Sequence, residues 1–428
     1  MLRFILHLAK WVSIVHLNQI LNMNLLRRMN ERRLIKTVIN AYTDVPYYKE
    51  KYDTAGVDIK SIRTIADLQK LPFLTKDEVR KNFPQYMVAR GTDLNKSVHS
   101  FTTGSTGRPL HIIYSRSTWA FYIATGVRMY TMIGYRPWHK IAYIKHTKLD
   151  YPRLGPFFRT AHIKSMLSPE EQIEMLRQIS PDLIIGYASI IYDIAKRLTA
   201  WDLNTIKPKL IGINSEFSTQ AQRDFISHVF GCPVYDEYST EETWMIASQC
   251  RHHNYHIFTD NVWVEFLNPN GQYVGPNEIG EIVLTTTRSP TMPFIRYRIG
   301  DLGSYSDEPC SCGLGFPLLA SLDGRADDDI ILPSGKRVSS IKILNTLYIF
   351  NIKKYRNSLD EFKVVQLRTD LIAIQIVKGK DFKHYHLNEL LYGMKKLFDE
   401  EMMIEIVFVE KIGKIDGIKR KAVESLIK

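Results

Sequence analysis

The chain has 428 residues, 45% hydrophobic and 24% charged, enough for two or three domains and too apolar for a disordered one. Lys and Arg number 57 against 45 Asp and Glu, and the net charge of +12 suits an anionic partner: a nucleotide, an acidic membrane surface or nucleic acid. Four cysteines in so long a chain exclude a disulfide framework and point to a reducing compartment, so a cytoplasmic protein is expected.

At the amino terminus, Leu2, Ile5, Leu6, Ala9, Val12 and Leu17 give a helix an apolar face, and basic residues follow from Arg27 to Arg33, an amphipathic stretch over 1–35. His7, Lys10, His16 and Asn18 interrupt it, so no uncharged run approaches the roughly 20 residues of a membrane span. It lacks the small-residue cleavage site of a signal peptide. A helix packed on its own domain is expected, with peripheral contact at an anionic inner membrane face as the alternative.

Residues 30–90 read as short helices punctuated by Pro46, Pro72 and Pro84, with Thr75 placed to cap one of them. SFTTGSTGRPL (100–110) is dense in glycine and hydroxyls. It is not a Walker A loop, because Arg108-Pro109 follow the second glycine. A surface turn uses these residues, and so does a phosphate cradle, where glycines let backbone N–H groups converge and hydroxyls add donors. Beyond it IAYIKH, SPEEQIEMLRQI, PDLIIGY, IIYDIAKRL, KLIGIN, QAQRDFISHVF and CPVYDEY alternate as strands and amphipathic helices, the pattern of a largely parallel α/β sheet.

In VYDEYSTEETW (234–244) a carboxylate follows a strand, where α/β sheets place ligand chemistry; Glu242 is suited to Mg²⁺ and Tyr238 to stacking on a base. The bland alternative is an acidic loop in solvent. From Val262 the texture turns β-rich, with VWVEFL, EIVLTTT and MPFIRYRIGD, and the last ends on Asp301, a lone carboxylate suited to the hydroxyls of a ribose. DGRADDDIILPSGKRVSS (323–340) marks a boundary, and a compact α+β module follows, with a helix near His386–Phe398. The expected fold class is α/β: a large amino-terminal domain over 1–324, β-rich over about 260–324, and a small α+β domain over 325–428.

These motifs, in this order, resemble the phenylacetate–CoA ligase family of the adenylate-forming (acyl-CoA synthetase) superfamily, and within it the branch associated with capsular polysaccharide biosynthesis. The resemblance runs from DVPYYKEKYDTAG (44–56) through TTGSTGRPL, PDLIIGYAS and NSEFSTQAQRDF to RYRIGD and GRADDDI. It implies a large adenylate-forming domain with a small mobile carboxyl-terminal one. It also implies an AMP-forming ligase that activates a small carboxylic acid with ATP and Mg²⁺ and passes it to CoA, another thiol, or a sugar amine or hydroxyl.

By resemblance, Thr102, Thr103, Gly104, Ser105, Thr106 and Gly107 form the phosphate loop, and Ser215 and Glu216 lie beside adenine. Tyr238 and Ser239 lie against the nucleotide, Glu242 binds Mg²⁺, Asp301 holds the ribose with Arg325 in support, and Asp327 is the hinge. Gly186 and Tyr187 line the acyl pocket. Three residues depart from the pattern: Ser239 replaces a glycine, Glu241 a Thr or Ser, and Ile418 the lysine expected after Gly417, with Lys419 one position late and taken as the catalytic lysine.

Cys250, Cys310 and Cys312 match positions where family members carry structural zinc, with His256 as fourth ligand or His252 or His253 in its place; reduced thiols are the alternative. Cys232 reads as core. Two further readings are an adenylyltransferase that leaves AMP on its acceptor, and a nucleotide-binding protein whose catalysis has decayed. Nucleic acid is not an expected partner, since no basic stripe is interleaved with aromatics.

Overall fold

The computed structural model describes residues 2–102, 109–148, 156–354, 358–412 and 421–427. They fall into two compact units, 1–134 with 237–322 and 135–236 with 323–428. In the first unit the helical character expected over 1–35 is divided between α1 (Leu2–Asn18) and α2 (Met23–Asp44), where Asn22 opens the second helix by accepting from the Asn24 amide. α3 (Pro46–Thr54) starts on a proline, whose missing N–H is harmless at a first helical position. Thr75 caps α4 (Lys76–Asn82) as expected, and Glu78 returns its carboxylate to the Thr75 amide at 2.8 Å, completing a capping box.

A hairpin of β1 (Val98–Phe101) and β2 (His111–Tyr114) leads into α5 (Arg116–Met132). α1 packs along α5 through Leu8, Trp11, Val12 and the fully buried Val15, leaving Leu6 and Leu17 exposed. Among the described residues no helix is long and apolar enough to cross a membrane.

In the second unit β3 (Ile141–Lys145) and β4 (Thr160–Lys164) are followed by α6 (Pro169–Ile179), β5 (Leu183–Gly186), α7 (Ala188–Arg197), α8 (Ala200–Thr205), β6 (Leu210–Asn214) and α9 (Gln220–Phe230). The strands lie in the order β6-β5-β3-β4, with each adjacent pair parallel, as the alternating pattern predicts. Cys232 is buried in this core, where desolvation pushes its thiol up to about 12.

β7 (Val234–Thr240) runs across the unit boundary. The first unit continues with β8 (Trp244–Gln249), β9 (Tyr255–Ile257), β10 (Val262–Leu267), β11 (Gly280–Thr286), β12 (Tyr297–Ser306) and β13 (Leu318–Arg325), in the order β10-β11-β12-β13-β9-β8-β7. This is the expected β-rich region, begun earlier in the chain than Val262.

The chain then returns to the second unit through β14 (Ile330–Ile331), β15 (Arg337–Val338), α10 (Ser340–Ile349), β16 (Leu359–Arg368), β17 (Leu371–Lys378), α11 (His386–Lys395), β18 (Met403–Phe408) and β19 (Val423–Ser425). Its four-stranded sheet, β18-β17-β16-β19, mixes an antiparallel central pair with parallel edges, the α+β module expected here.

A buried ion pair ties the first unit together. Arg128 of α5 meets Asp260 with two bonds of 2.7 and 3.0 Å, and both side chains are 0% exposed. The guanidinium also donates to the Val15 carbonyl at 3.1 Å and lies against the rings of Phe258 and Phe316. Asn18 adds a bond to Asp260 at 2.8 Å. Beside it the loop before β13 docks on the α1–α2 turn: the Gly315 amide donates to the Gln19 carbonyl at 3.0 Å, and a Cβ on Gly315 would overlap the Leu21 carbonyl oxygen.

Candidate functional site

The glycine-rich stretch connects β1 to β2. Its neck is closed by Thr102, whose amide donates to the Leu110 carbonyl at 3.0 Å and whose hydroxyl accepts from the Leu110 amide at 2.8 Å. Thr103, Gly104, Ser105, Thr106 and Gly107 lie outside the described residues. The Thr102 hydroxyl is thus engaged in closing the end of the β1–β2 hairpin.

β7 and β8 form an antiparallel hairpin with the carboxylate motif at its turn. Tyr238 is buried and its hydroxyl donates to Asp301 Oδ2 at 2.7 Å, joining two motifs that are 63 residues apart. Glu242, also buried, accepts from the Tyr297 hydroxyl at 2.8 Å, so the expected metal-binding carboxylate is held by the strand that carries Asp301. Ser239, one of the departures, donates to Glu237 at 3.0 Å, and Tyr130 of α5 donates to the other oxygen of that carboxylate at 3.0 Å.

Glu241, the second departure, accepts from Ser100 at 2.6 Å and takes the Tyr114 hydroxyl on its backbone carbonyl. A carboxylate at this position therefore anchors the β1–β2 hairpin at Ser100, in the place where the resemblance implied a hydroxyl. Sequence reading noted Glu241 only as an exception. Its partner lies 141 residues away, which no local signal reveals.

In the second unit, Gly186 ends β5 and Tyr187 opens α7 at the carboxyl edge of the parallel sheet. Ser215 follows β6 in a left-handed conformation, φ 67°, and Glu216 accepts from the Ser189 amide at 3.0 Å. Lys145, which sequence reading did not single out, lies among these residues: its ammonium donates to Asn214 and, at 2.9 Å, to Ser215, and sits 3.9 Å from the Tyr187 ring centroid. Arg325 ends β13, and Asp327 is exposed on the short turn after it. Two residues on, burial pushes the Asp329 carboxyl up to about 6, against the Ser340 amide and Arg337. Lys419 and Ile418 lie outside the described residues.

The first unit also gathers Cys250, His256, Cys310 and Cys312, with all four donor atoms within 4.8 Å of one another. Cys250 and Cys310 sulfurs are 3.8 Å apart, and Cys312 Sγ is 3.2 Å from His256 Nε2. His256 Nδ1 lies 3.0 Å from the Phe316 carbonyl, so it carries the proton and leaves Nε2 turned toward the sulfurs. His256 is the histidine gathered with the three cysteines, while His252 meets Ser311 at 2.7 Å.

No protein-family model matches the chain. Among curated proteins it is 27% identical over 323 residues to phenylacetate-coenzyme A ligase of Aromatoleum evansii, covering 72% of each chain. It is 26% identical over 371 residues to the Pseudomonas putida protein of that name, covering 81% of this chain and 82% of the other. Protein CapK of Staphylococcus aureus is 24% identical over 396 residues, 88% of this chain and 84% of that one. A solved 2-hydroxyisobutyryl-CoA ligase in complex with 2-HIB-AMP matches with a TM-score of 0.80 at 17% identity, covering 95% of this chain and 90% of that one. The resemblance read from the motifs is thus borne out by homologues with these names, and the α/β fold is shared with the solved 2-hydroxyisobutyryl-CoA ligase.

Proposed function

We propose that this chain is an ATP-dependent, AMP-forming acid–CoA ligase. A carboxylate resists a thiol because its charge is delocalised and oxide is a poor leaving group. In the first half-reaction a substrate carboxylate oxygen attacks the α-phosphorus of ATP, the bond to the bridging oxygen breaks, and pyrophosphate leaves. In the second, the CoA thiolate attacks the acyl carbon and AMP departs with the bonding pair. Such a site needs charge neutralisation and alignment more than a nucleophilic side chain.

The observation that carries this reading is the Tyr238–Asp301 bond, which gathers the base-stacking and ribose-holding candidates of two separate motifs. In this reading Asp301 accepts the ribose hydroxyls with Arg325 in support, Ser215, Glu216, Tyr238 and Ser239 surround the nucleotide, and residues 102–107 supply phosphate donors. Glu242 holds Mg²⁺, which neutralises phosphate charge. Gly186 and Tyr187 line the acyl pocket, Lys419 approaches the transferring carboxylate, and the segment after Asp327 moves between half-reactions. Acid-dependent ATP–pyrophosphate exchange, screened across aromatic, aliphatic and hydroxy acids, is the test. Exchange with an acid, followed by thioester formation with CoA, is expected. ATP binding without exchange for any acid would indicate the decayed protein, and AMP retained on the product an adenylyltransferase.

The likeness to CapK supports a finer reading, in which the activated acyl group serves cell-envelope polysaccharide synthesis with a sugar amine or hydroxyl as final acceptor. The basic stretch after Arg27 fits work near an anionic inner membrane face. We further propose that Cys250, His256, Cys310 and Cys312 hold a structural Zn²⁺. Three sulfurs and one tautomer-fixed imidazole are the donor set that tetrahedral zinc takes. Purified protein is expected to carry zinc, and Cys312→Ser to lose it with a fall in melting temperature of roughly 5–10 °C. Metal-free native protein that melts unchanged in the variant would contradict this.

A further inference from the structure

Resting on the cell-envelope reading for its setting, we infer that the α1–α2 corner and the outer face of α2 dock on an anionic phospholipid bilayer. Arg28, Arg32 and Lys36 meet the headgroup phosphates, while Leu17, Ile20, Met23 and Leu25 enter the acyl boundary. The helix period places the charges. α2 buries Leu26, Asn30, Leu34 and Val38 along one stripe. Arg28, Arg32 and Lys36 each stand two residues past one of the first three, about 200° around the helix. They therefore line the face opposite the core, and all three are exposed. Arg27 is exposed beside them.

Cations four residues apart on a helix repel one another, and the first unit does not relieve these. Among the described residues no side-chain hydrogen bond or ion pair reaches Arg27, Arg28, Arg32 or Lys36. Glu31, the acid in their midst, is taken by the Ile65 amide at 3.0 Å. Arg33 belongs to the interior instead, donating to Asn30 at 3.2 Å and feeling the buried Asp260. Asp307 and Glu308 line a cavity of about 210 Å³ together with Met23, and neither pairs with a cation of α2. The stripe thus carries a positive charge that an anionic surface would complete.

The apolar half follows from how the corner is seated. The Gly315 amide holds the Gln19 carbonyl at 3.0 Å, and Asn18 holds Asp260. Leu21 and Leu26 fill the inward positions against Phe258 and Phe316. That leaves Leu17, Ile20, Met23 and Leu25 outside, Leu17 60% and Ile20 70% exposed, on a turn whose backbone is pinned. Four large aliphatic side chains within nine residues, next to unpaired cations, make the chemistry of a bilayer interface, which takes cations at its phosphates and aliphatic groups just beneath. Nucleic acid shares the phosphates but offers the aliphatic side chains nothing comparable.

Flotation of the full chain with vesicles is the test, comparing phosphatidylcholine alone with phosphatidylcholine containing phosphatidylglycerol at roughly 30%, near the anionic content that gives a cytoplasmic leaflet its negative potential. Each cation held near such a surface strengthens partition about fivefold, so the wild type is expected to favour the anionic vesicles by about 20-fold or more. Arg28→Glu with Arg32→Glu should bring that preference to within about threefold. Leu17→Ser with Ile20→Ser should weaken binding to anionic vesicles about tenfold while keeping the preference for them. All four positions are exposed, so both variants should melt with the wild type. No preference in the wild type overturns the inference without any variant. So does charge reversal without effect, which would move the contact elsewhere on a chain of net charge +12. Serine variants that bind like the wild type overturn it too, leaving adsorption by charge alone, and so does retention of poly(U) without retention of vesicles, which would assign the stripe to nucleic acid. Acid-dependent exchange on the same samples keeps the two readings apart: exchange without vesicle binding defeats this surface only, and vesicle binding without exchange supports the surface and defeats the ligase.

Discussion

Replacing Asp301 by alanine is expected to lower acid-dependent ATP–pyrophosphate exchange by about 100- to 1,000-fold at subsaturating ATP. Each hydrogen bond from a ribose hydroxyl to a carboxylate contributes about 1.5–3 kcal/mol, so two of them together amount to about two to four decades in affinity, of which the lower part is expected here. The loss should fall mainly on KM for ATP, since ribose contacts are made in ground and transition state alike. Tyr238→Phe is the comparison. The Tyr238 hydroxyl donates to Asp301, yet the ring remains when the hydroxyl is removed. That variant should change exchange by less than about fivefold, the worth of one ordinary hydrogen bond. If the two variants were equally impaired, or if Asp301→Ala exchanged normally, the pair would be a structural contact with no part in holding nucleotide. Thermal melting run alongside separates lost binding from lost folding, because the alanine leaves a buried hydroxyl without its acceptor.

Asp260→Ala is expected to cost about 3–5 kcal/mol of stability, the range for removing one member of a buried ion pair. Arg128 would remain, 0% exposed, without its carboxylate. Arg33 and Arg288 feel the same carboxylate. Burial and the neighbouring Arg33 already hold the Arg288 guanidinium down at about 10, with Asp260 acting the other way. Replacing Arg128 and Asp260 together by apolar residues should cost well under the sum of the single changes, and a urea-melting double-mutant cycle would show it. Additive losses would mean that the pair's contribution is packing alone. The pH dependence has a definite sign. Burial raises the Asp260 carboxyl, but Arg128 and the Asn18 amide more than reverse that and leave it below its ordinary value. Its contribution is complete above the unfolded value of about 3.9 and is lost as pH falls through the lower folded one. The ion pair therefore loosens in strong acid and is unaffected near neutrality.

Much of the fold was legible because local signals agreed with the global one. The strands IAYIKH, PDLIIGY and KLIGIN lie parallel where the alternation put them, and the Thr75 cap sits on α4. α2 was harder to see as a single 22-residue helix, since its buried stripe includes Asn30, whose amide bonds to Thr259 at 3.1 Å and breaks the apolar period. The motif carboxylates could be placed at strand ends, but their partners could not. Glu241 with Ser100, Glu242 with Tyr297, and Lys145 with Asn214 are brought together by tertiary packing between segments 141, 55 and 69 residues apart, which hydropathy does not encode. The thiol cluster was partly legible from the C-x-C spacing. His256, already the favoured fourth member by resemblance, stands among the sulfurs with its Nδ1 toward the Phe316 carbonyl.

The seat of Gly315 against Leu21 has a practical corollary. Cys312 and Gly315 share one short loop, so whatever steadies the sulfurs also steadies the surface on which the first two helices turn. Protease resistance of the bonds around residue 20 thus becomes a remote gauge of that loop's integrity, readable on a gel without any assay of catalysis.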